Sequence, residues 1–292
     1  MMSSLALPTQ RGYVPRSLGL RAAATAIGNE IRKGLLHAWA ERLQILIEMP
    51  LFLAFFLLVA LILGRGEQIA SGHLDWRFDP AQVSALIVGF AAYMFWYLQT
   101  AKLFWRLLGE IQSGTLEQVY LSPLPAWLVT AAGRVLATVV ETAFVVGVVS
   151  AVVYAVVPFH IFWQWQALLP MVLIVMGSVG YSLMEGGLTL IWKRVEMIHE
   201  LALGLMAFLS GALLPLDRLP GWMADIGRFT PISQGVIGLR ALMVHGHASI
   251  PSSADGSLAW TLGISLAWLL LGIAIFSWGG SIARRHGSLG RY

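Results

Sequence analysis

The sequence contains no cysteine, which excludes a disulfide framework and a thiolate-ligated metal site. Charge is scarce as well. Asp, Glu, Lys and Arg make up 12% of the 292 residues, against about 25% in a soluble domain. A chain so poor in charge cannot cover itself with a water-compatible surface. It also lacks a G-x-x-x-x-G-K-[ST] phosphate loop, so it does not cradle ATP in that way. No internal repeat, heptad pattern or low-complexity tract is present. No Ser, His and Glu fall into a nucleophile arrangement, so no catalytic residues are expected. His245 and His247 lie without carboxylate company and read as solvated side chains rather than metal ligands. The net charge of +4 reports topology here, and no nucleic-acid partner is expected.

What the chain does have is oil: 58% of its residues are hydrophobic. Six apolar stretches, near 43–64, 81–101, 128–157, 167–192, 198–216 and 258–280, approach or exceed the roughly 20 residues that cross a bilayer. The expectation is an all-α polytopic membrane protein. Residues 1–42 would form an N-terminal segment, and 43–292 a single six-span transmembrane domain. The first 40 residues carry several Arg and no early apolar core, unlike a cleaved secretory signal.

Lys and Arg set the orientation. With both termini inside, Arg11, Arg16, Arg21, Arg32, Lys33, Arg42, Lys102, Arg106, Lys193, Arg194, Arg284, Arg285 and Arg291 are cytoplasmic. Arg65, Arg77, Arg218, Arg228 and Arg240 are outside, and Arg134 falls within a span. That bias of 13 to 5 favours cytoplasmic termini. Trp163 and Trp165 then stand at the outer end of the third and fourth spans, where interfacial anchors belong.

Three segments outside the spans have a helical character of their own. Over 18–42, Ile27, Ile31 and Leu35 recur every four residues, with Arg32, Lys33 and Glu41 elsewhere on the wheel. This reads as an amphipathic interfacial helix on the inner leaflet, or alternatively a soluble helix packed on a partner. Residues 217–247 are broken by Pro220 and Pro231, too polar to span and too apolar for a free loop. Trp222, Met223, Ile226 and Phe229 suit one short helix, and Ile232, Val236, Leu239 and Leu242 a second. Such a pair would fold back into the outer membrane face, since irregular backbone at that depth must be covered by protein. The third segment, between the second and third spans, reads EIQSGTLEQVYLSPLP at 110–125. Gly114 ends the incoming helix. Thr115 with Gln118 matches a capping box, and Leu116, Val119 and Tyr120 make an apolar side. Glu117 sits in the first turn, where the helix dipole favours an anion. Pro123 stops the helix. This stub has one greasy face and should dock, either on the chain's own N-terminal helix or in a socket on a separate cytoplasmic partner.

Ionisable groups within spans default to functional hypotheses. Glu48, Arg134, Glu185 and Glu200 lie about 9–13 Å by helical rise from the inner ends of their spans. Glu141 lies two turns beyond Arg134 on the same helical face. One reading is structural, with Arg134 pairing one of the carboxylates. The other is an anionic vestibule, of four Glu against one Arg, that selects cationic or polar-headed amphiphiles. A relay of these carboxylates in a proton-coupled secondary exporter is the competing functional class.

The run E-I-Q-S-G-T-L-E-Q-V-Y-L-S-P-L resembles the E-x-x-x-G-T-L-E-x-hydrophobic-x-x-[ST]-P signature of type-2 ABC exporter permeases, the membrane subunits of ATP-binding-cassette exporters. LLPLDRLPGWMADIGRFTPISQGVIGLRALM resembles the outer segment of the same family, marked by Pro220, Pro231 and Arg240. The resemblance implies that 110–123 is a coupling helix docking on a cytoplasmic ABC ATPase, with Glu110, Gly114, Thr115, Leu116, Glu117 and Tyr120 at the contact. It also implies two permeases, identical or homologous, and two ATPase copies. ATP and Mg would be held by the partner, with no cofactor on this chain. Substrate, drug-like or lipid-like, would move outward by alternating access between permeases in the plasma (bacterial inner) membrane, in contact with its lipids. The resemblance places the second and fifth spans at the interface, so Phe90, Tyr97, Phe208 and Leu213 are candidate path residues beside Glu48, Arg134, Glu141, Glu185 and Glu200. Glycan and ion exporters remain alternatives.

Overall fold

The computed structural model describes residues 20–40, 80–114, 125–156, 159–192, 195–247, 249–250 and 255–285, with isolated positions between 43 and 58. Eight α-helices run through these residues: α1 (Leu20–Ala40), α2 (Pro80–Gln112), α3 (Ala126–Val156), α4 (Leu168–Ile191), α5 (Glu196–Leu209), α6 (Gly221–Arg228), α7 (Ser233–Met243) and α8 (Leu258–Arg285). No strand occurs among the described residues. The capped stub at 115–121 lies outside them, and of the expected span near 43–64 only isolated positions are described.

Four helical stretches are long and apolar enough to cross a membrane: Pro80–Gln112, Arg134–Ala155, Trp165–Ile191 and Leu258–Arg285. Their outward faces stay greasy. Leu136, Val140, Phe144 and Val148 on α3 are exposed, as are Leu262, Leu266 and Leu270 on α8. Apolar surface this continuous calls for lipid or protein against it rather than water. Exposed Trp260 and Trp278 stand about 27 Å apart along α8 by helical rise, close to the roughly 30 Å of a hydrocarbon core.

The helices assemble around α2, which packs against α3, α4, α5 and α7. Phe90, Met94, Trp96, Leu98, Leu103, Phe104 and Leu107 on α2 are almost fully buried. The tightest pair is α4 with α8. Added Cβ atoms show how close these helices lie: at Gly180 the atom would strike Trp268 and Leu269, and at Gly272 it would strike Gly180. One turn-pair further on, Gly187 abuts Ile275 and Phe276, and Gly279 abuts Gly187. Residue numbers rise together along both helices, so α4 and α8 run parallel.

Parallel α4 and α8 oblige the chain to return across the bundle between them, and α5 makes that return. His199 stacks on Phe104. The Tyr93 hydroxyl donates to the Leu203 carbonyl. The Ala212 carbonyl abuts Gly89. α5 and its extension thus climb while α2 descends. The apolar run at 198–216 suggests one continuous span. The helix instead covers 14 residues, about 21 Å, and ends at Leu209. Gly211 adopts φ 70°, a left-handed conformation open to glycine at little strain. Pro215 then leads into a short 3-10 turn at Leu216–Arg218. α6 and α7 complete the return, and the Pro231 carbonyl sits against Gly177 of α4. The paired short helices expected at 217–247 are therefore present as α6 and α7. Val236, Leu239 and Leu242 of α7 are buried.

We refer to the two ends of the bundle as the connector end, bearing residues 113–125, and the cap end, bearing α6 and α7. At the connector end α1 lies along α3, with Arg32, Lys33, Leu36 and Trp39 exposed. The glycine seam carries a prediction. A Cβ at Gly187 would stand 2.6 Å from the Ile275 carbonyl oxygen, a backbone atom that cannot swing aside. Gly187→Val should therefore lower stability on the order of 3 kcal/mol, read as a lower thermal-unfolding midpoint in detergent. Gly204 has open space where its Cβ would be, so Gly204→Ala should leave the midpoint unchanged or raise it slightly.

Candidate functional site

α2 outruns the bilayer at the connector end. Trp105 is exposed, and the helix continues about 10 Å beyond it. Arg106 and Glu110 form an i,i+4 ion pair at 3.2 Å on this extension. The Ser113 amide donates to the Gly109 carbonyl and the Gly114 amide to the Ile111 carbonyl. Gly114 takes φ 70°, the αL position that closes a helix C-terminus. Glu110 and Gly114 thus shape the end of α2. Thr115, Leu116, Glu117 and Tyr120 lie outside the described residues.

Glu141 sits at the centre of a buried charge cluster. The Arg134 guanidinium donates to both Glu141 oxygens, at 3.1 and 2.9 Å. Arg134 and Glu141 are 1% and 3% exposed. The i,i+7 spacing already places them on one face. The Lys102 ammonium of α2 stands 2.9 Å from the same carboxylate, a third member that the sequence reading assigned to the cytoplasmic loop. The spacing within α3 announces the first pair, but Lys102 depends on how α2 and α3 are rotated against each other. Two cations on one carboxylate lock α2 to α3 in a low-dielectric setting, where ionic hydrogen bonds are strong and unpartnered charges costly.

Glu185 and His199 form a second pair, Oε1 to Nδ1 at 2.7 Å, between α4 and α5. The His199 ring stacks on Phe104 at 4.0 Å between centroids, with Trp105 edge-on. The other ring nitrogen of His199 and the second oxygen of Glu185 are buried with no hydrogen-bond partner among the described residues. Glu48 is half-buried, and Tyr97 lies within electrostatic reach of both Glu48 and Glu200. Glu200 is exposed on α5. The carboxylates named from the sequence therefore do not share one open vestibule: Glu141 and Glu185 are held inside the fold by specific partners.

Of the candidate path residues, Phe90 and Leu213 pack within the core, Tyr97 is half-buried, and Phe208 is exposed. Pro220, with extended backbone, opens α6. Pro231 lies in the turn between α6 and α7, its carbonyl on α4. Arg240 projects from α7 into the break after α5. It donates to the carbonyls of Ala85 at 3.1 Å, Gly211 at 2.7 Å and Ala212 at 2.5 Å. Burial pushes its guanidinium down to about 10, opposed by Asp217, so at neutral pH it remains a cation. His245 and His247 are exposed with ring centroids 6.0 Å apart. No cluster of metal-binding side chains occurs among the described residues.

Two losses follow from these contacts. Glu141→Gln removes the carboxylate charge that Arg134 and Lys102 share and should cost about 3–5 kcal/mol. Glu110→Gln, at an outer ion pair, should stay within about 1 kcal/mol. Arg240→Met should cost about 3 kcal/mol through the orphaned carbonyls, with only partial recovery in Arg240→Lys, whose point charge lacks the guanidinium fork. Thermal unfolding of the purified variants in detergent checks all four.

No curated protein matches the chain. A family match covers residues 32–244, from within α1 to the end of the cap. It takes in the extended α2, the broken return crossing and Arg240. The chain belongs to the ABC-2 type transporter family: it is a multi-pass membrane permease of an ABC transporter.

Proposed function

We propose that this permease is the translocation subunit of an ATP-driven exporter for a hydrophobic or amphiphilic substrate, drug-like or lipid-like. The observation that carries the reading is the end of α2. A transmembrane helix continues rigidly beyond Trp105 and closes at a left-handed Gly114, one residue before Thr-Leu-Glu. An ATPase gripping the stub at 115–121 would pull on a helix that packs against α3, α4, α5 and α7. Glu141, bound from both α2 and α3, makes the two helices flanking the connector move together.

In this reading the connector end is cytoplasmic, as the excess of Lys and Arg there favours, and the protein sits in the plasma (bacterial inner) membrane with both termini inside. Two permeases face each other across the substrate route, and two ATPases hold ATP and Mg beneath them. Residues 43–64 supply a further span, and α5 with its extension another, giving six. ATP binding draws the ATPases together, the connector end narrows, and substrate leaves past α6 and α7. The pairing of Glu141 with two cations supports ATP drive over proton drive, because a relay carboxylate must exchange protons with a water path.

Copurification tests the partner. A tagged chain should bring down an ABC ATPase with it. Glu117→Arg should weaken that association at least tenfold, or uncouple ATP hydrolysis from transport, while the thermal midpoint stays put. Association and transport both unchanged would refute the docking role. Transport that survives ATP depletion but collapses with the proton gradient would refute ATP drive.

A further inference from the structure

The carboxylates within the bundle have different fates. Glu141 is held by Arg134 and Lys102, and Glu185 by His199. Glu200 has no hydrogen bond or ion pair among the described residues, and it is exposed on α5. Apart from exposed Glu196 one turn earlier, its surroundings on the helix are apolar. Met197, Ile198, Leu201, Leu205 and Phe208 are all exposed along the same helix. Charge at the start of a greasy helical face is costly in a membrane and marks function.

The row through Glu200 has a definite form. Gly204 follows one turn later with nothing within 4 Å of where its Cβ would be, and exposed Phe208 follows a further turn on. Residues at i, i+4 and i+8 fall in line, so a carboxylate, a notch and an aromatic ring are spread over about 12 Å. Tyr97 of α2 lies within electrostatic reach of the carboxylate.

We propose that Glu200, Gly204 and Phe208 form a recognition row for an organic cation with a bulky apolar body. The cation pairs with Glu200, the body lies over Gly204, and Phe208 supplies a ring face. This rests on the permease reading and narrows its substrate class. It also assigns selection to the α5 row rather than to a vestibule shared with Glu141 and Glu185.

Tetraphenylphosphonium and tetraphenylborate share a shape and differ in the sign of their charge, which makes them the probes. Purified full-length chain in nanodiscs should bind the phosphonium saturably and in preference to the borate. Glu200→Gln should weaken phosphonium binding about tenfold, or about 1.4 kcal/mol, and abolish the preference. Gly204→Leu should weaken both ions by filling the notch. Asp225→Asn, on exposed α6, should change neither. The thermal midpoint of each variant reports folding separately. Phosphonium binding unchanged in a folded Glu200→Gln chain, or no charge preference in the wild type, overturns the proposal. Glu200 snorkelling to headgroup water would give the first of these results. Both outcomes are separable from the permease reading, because ATPase copurification does not depend on Glu200. A chain that copurifies its ATPase yet fails here loses only the recognition row.

Discussion

Arg240 grips the carbonyls of Gly211 and Ala212 where the return crossing breaks, and the cap end is built around that contact. Hydrocarbon offers no hydrogen bonds, so irregular backbone at membrane depth survives only where protein satisfies it. A helix ending at Leu209 presents unpaired carbonyls and the negative end of its dipole. The guanidinium opposes that dipole and satisfies the Gly211 and Ala212 carbonyls just beyond it. It also bonds Ala85 on α2, which joins α2, the break and α7 through one side chain. The constraint behind this is the parallel packing of α4 and α8. Two parallel helices need a crossing between them, and the chain makes it with a short helix, a satisfied break and two covered helices.

Charge in the interior follows the same rule of satisfaction, with different results at each residue. Glu141 serves as a rivet: it joins α2 to α3 near the connector end and is closed to solvent. Glu185 fastens α4 to α5 through His199, whose ring is itself clamped on Phe104 of α2. The bundle is thus pinned by ion pairs near the connector end and by Arg240 near the cap end, with aromatic and aliphatic packing between. Exposure separates the α5 carboxylates Glu196 and Glu200 from this structural set.

Much of this architecture is legible in the sequence, and what is hidden has specific causes. Apolar length exposes the second, third, fourth and last long helices, because lipid contact demands it. It does not mark where α2 ends: the helix continues through Lys102–Gln112, and hydropathy reports oil rather than helicity. The run at 198–216 hides its break for the complementary reason. Ser210, Gly211 and Pro215 are turn residues, but they sit within a stretch whose mean hydropathy stays high. The i,i+7 spacing of Arg134 and Glu141 is visible within one helix. Lys102 on Glu141, and Arg240 on Gly211 and Ala212, are not, since each depends on how separate elements are rotated and stacked. The short helices α6 and α7 emerge from the sequence because prolines bracket them and their apolar residues keep helical spacing.

The central position of α2 ties these features to transport. One stripe meets α4 through Trp96, Thr100 and Leu107, with the Thr100 and Ser182 hydroxyls 3.1 Å apart. Another meets α5 through Tyr93 and Phe104, and Lys102 points at α3. A displacement at the connector end therefore cannot stay local. It reaches α3 through Glu141, α5 through Phe104 and His199, and the broken return through Gly89 and Arg240. A continuous fifth helix would transmit such a push along its axis. A helix interrupted at Gly211, with the Gly211 and Ala212 carbonyls held by a side chain, gives the bundle a place where two ends can move by different amounts. The alternating-access cycle proposed above needs such a place, and here it falls where backbone regularity is lost.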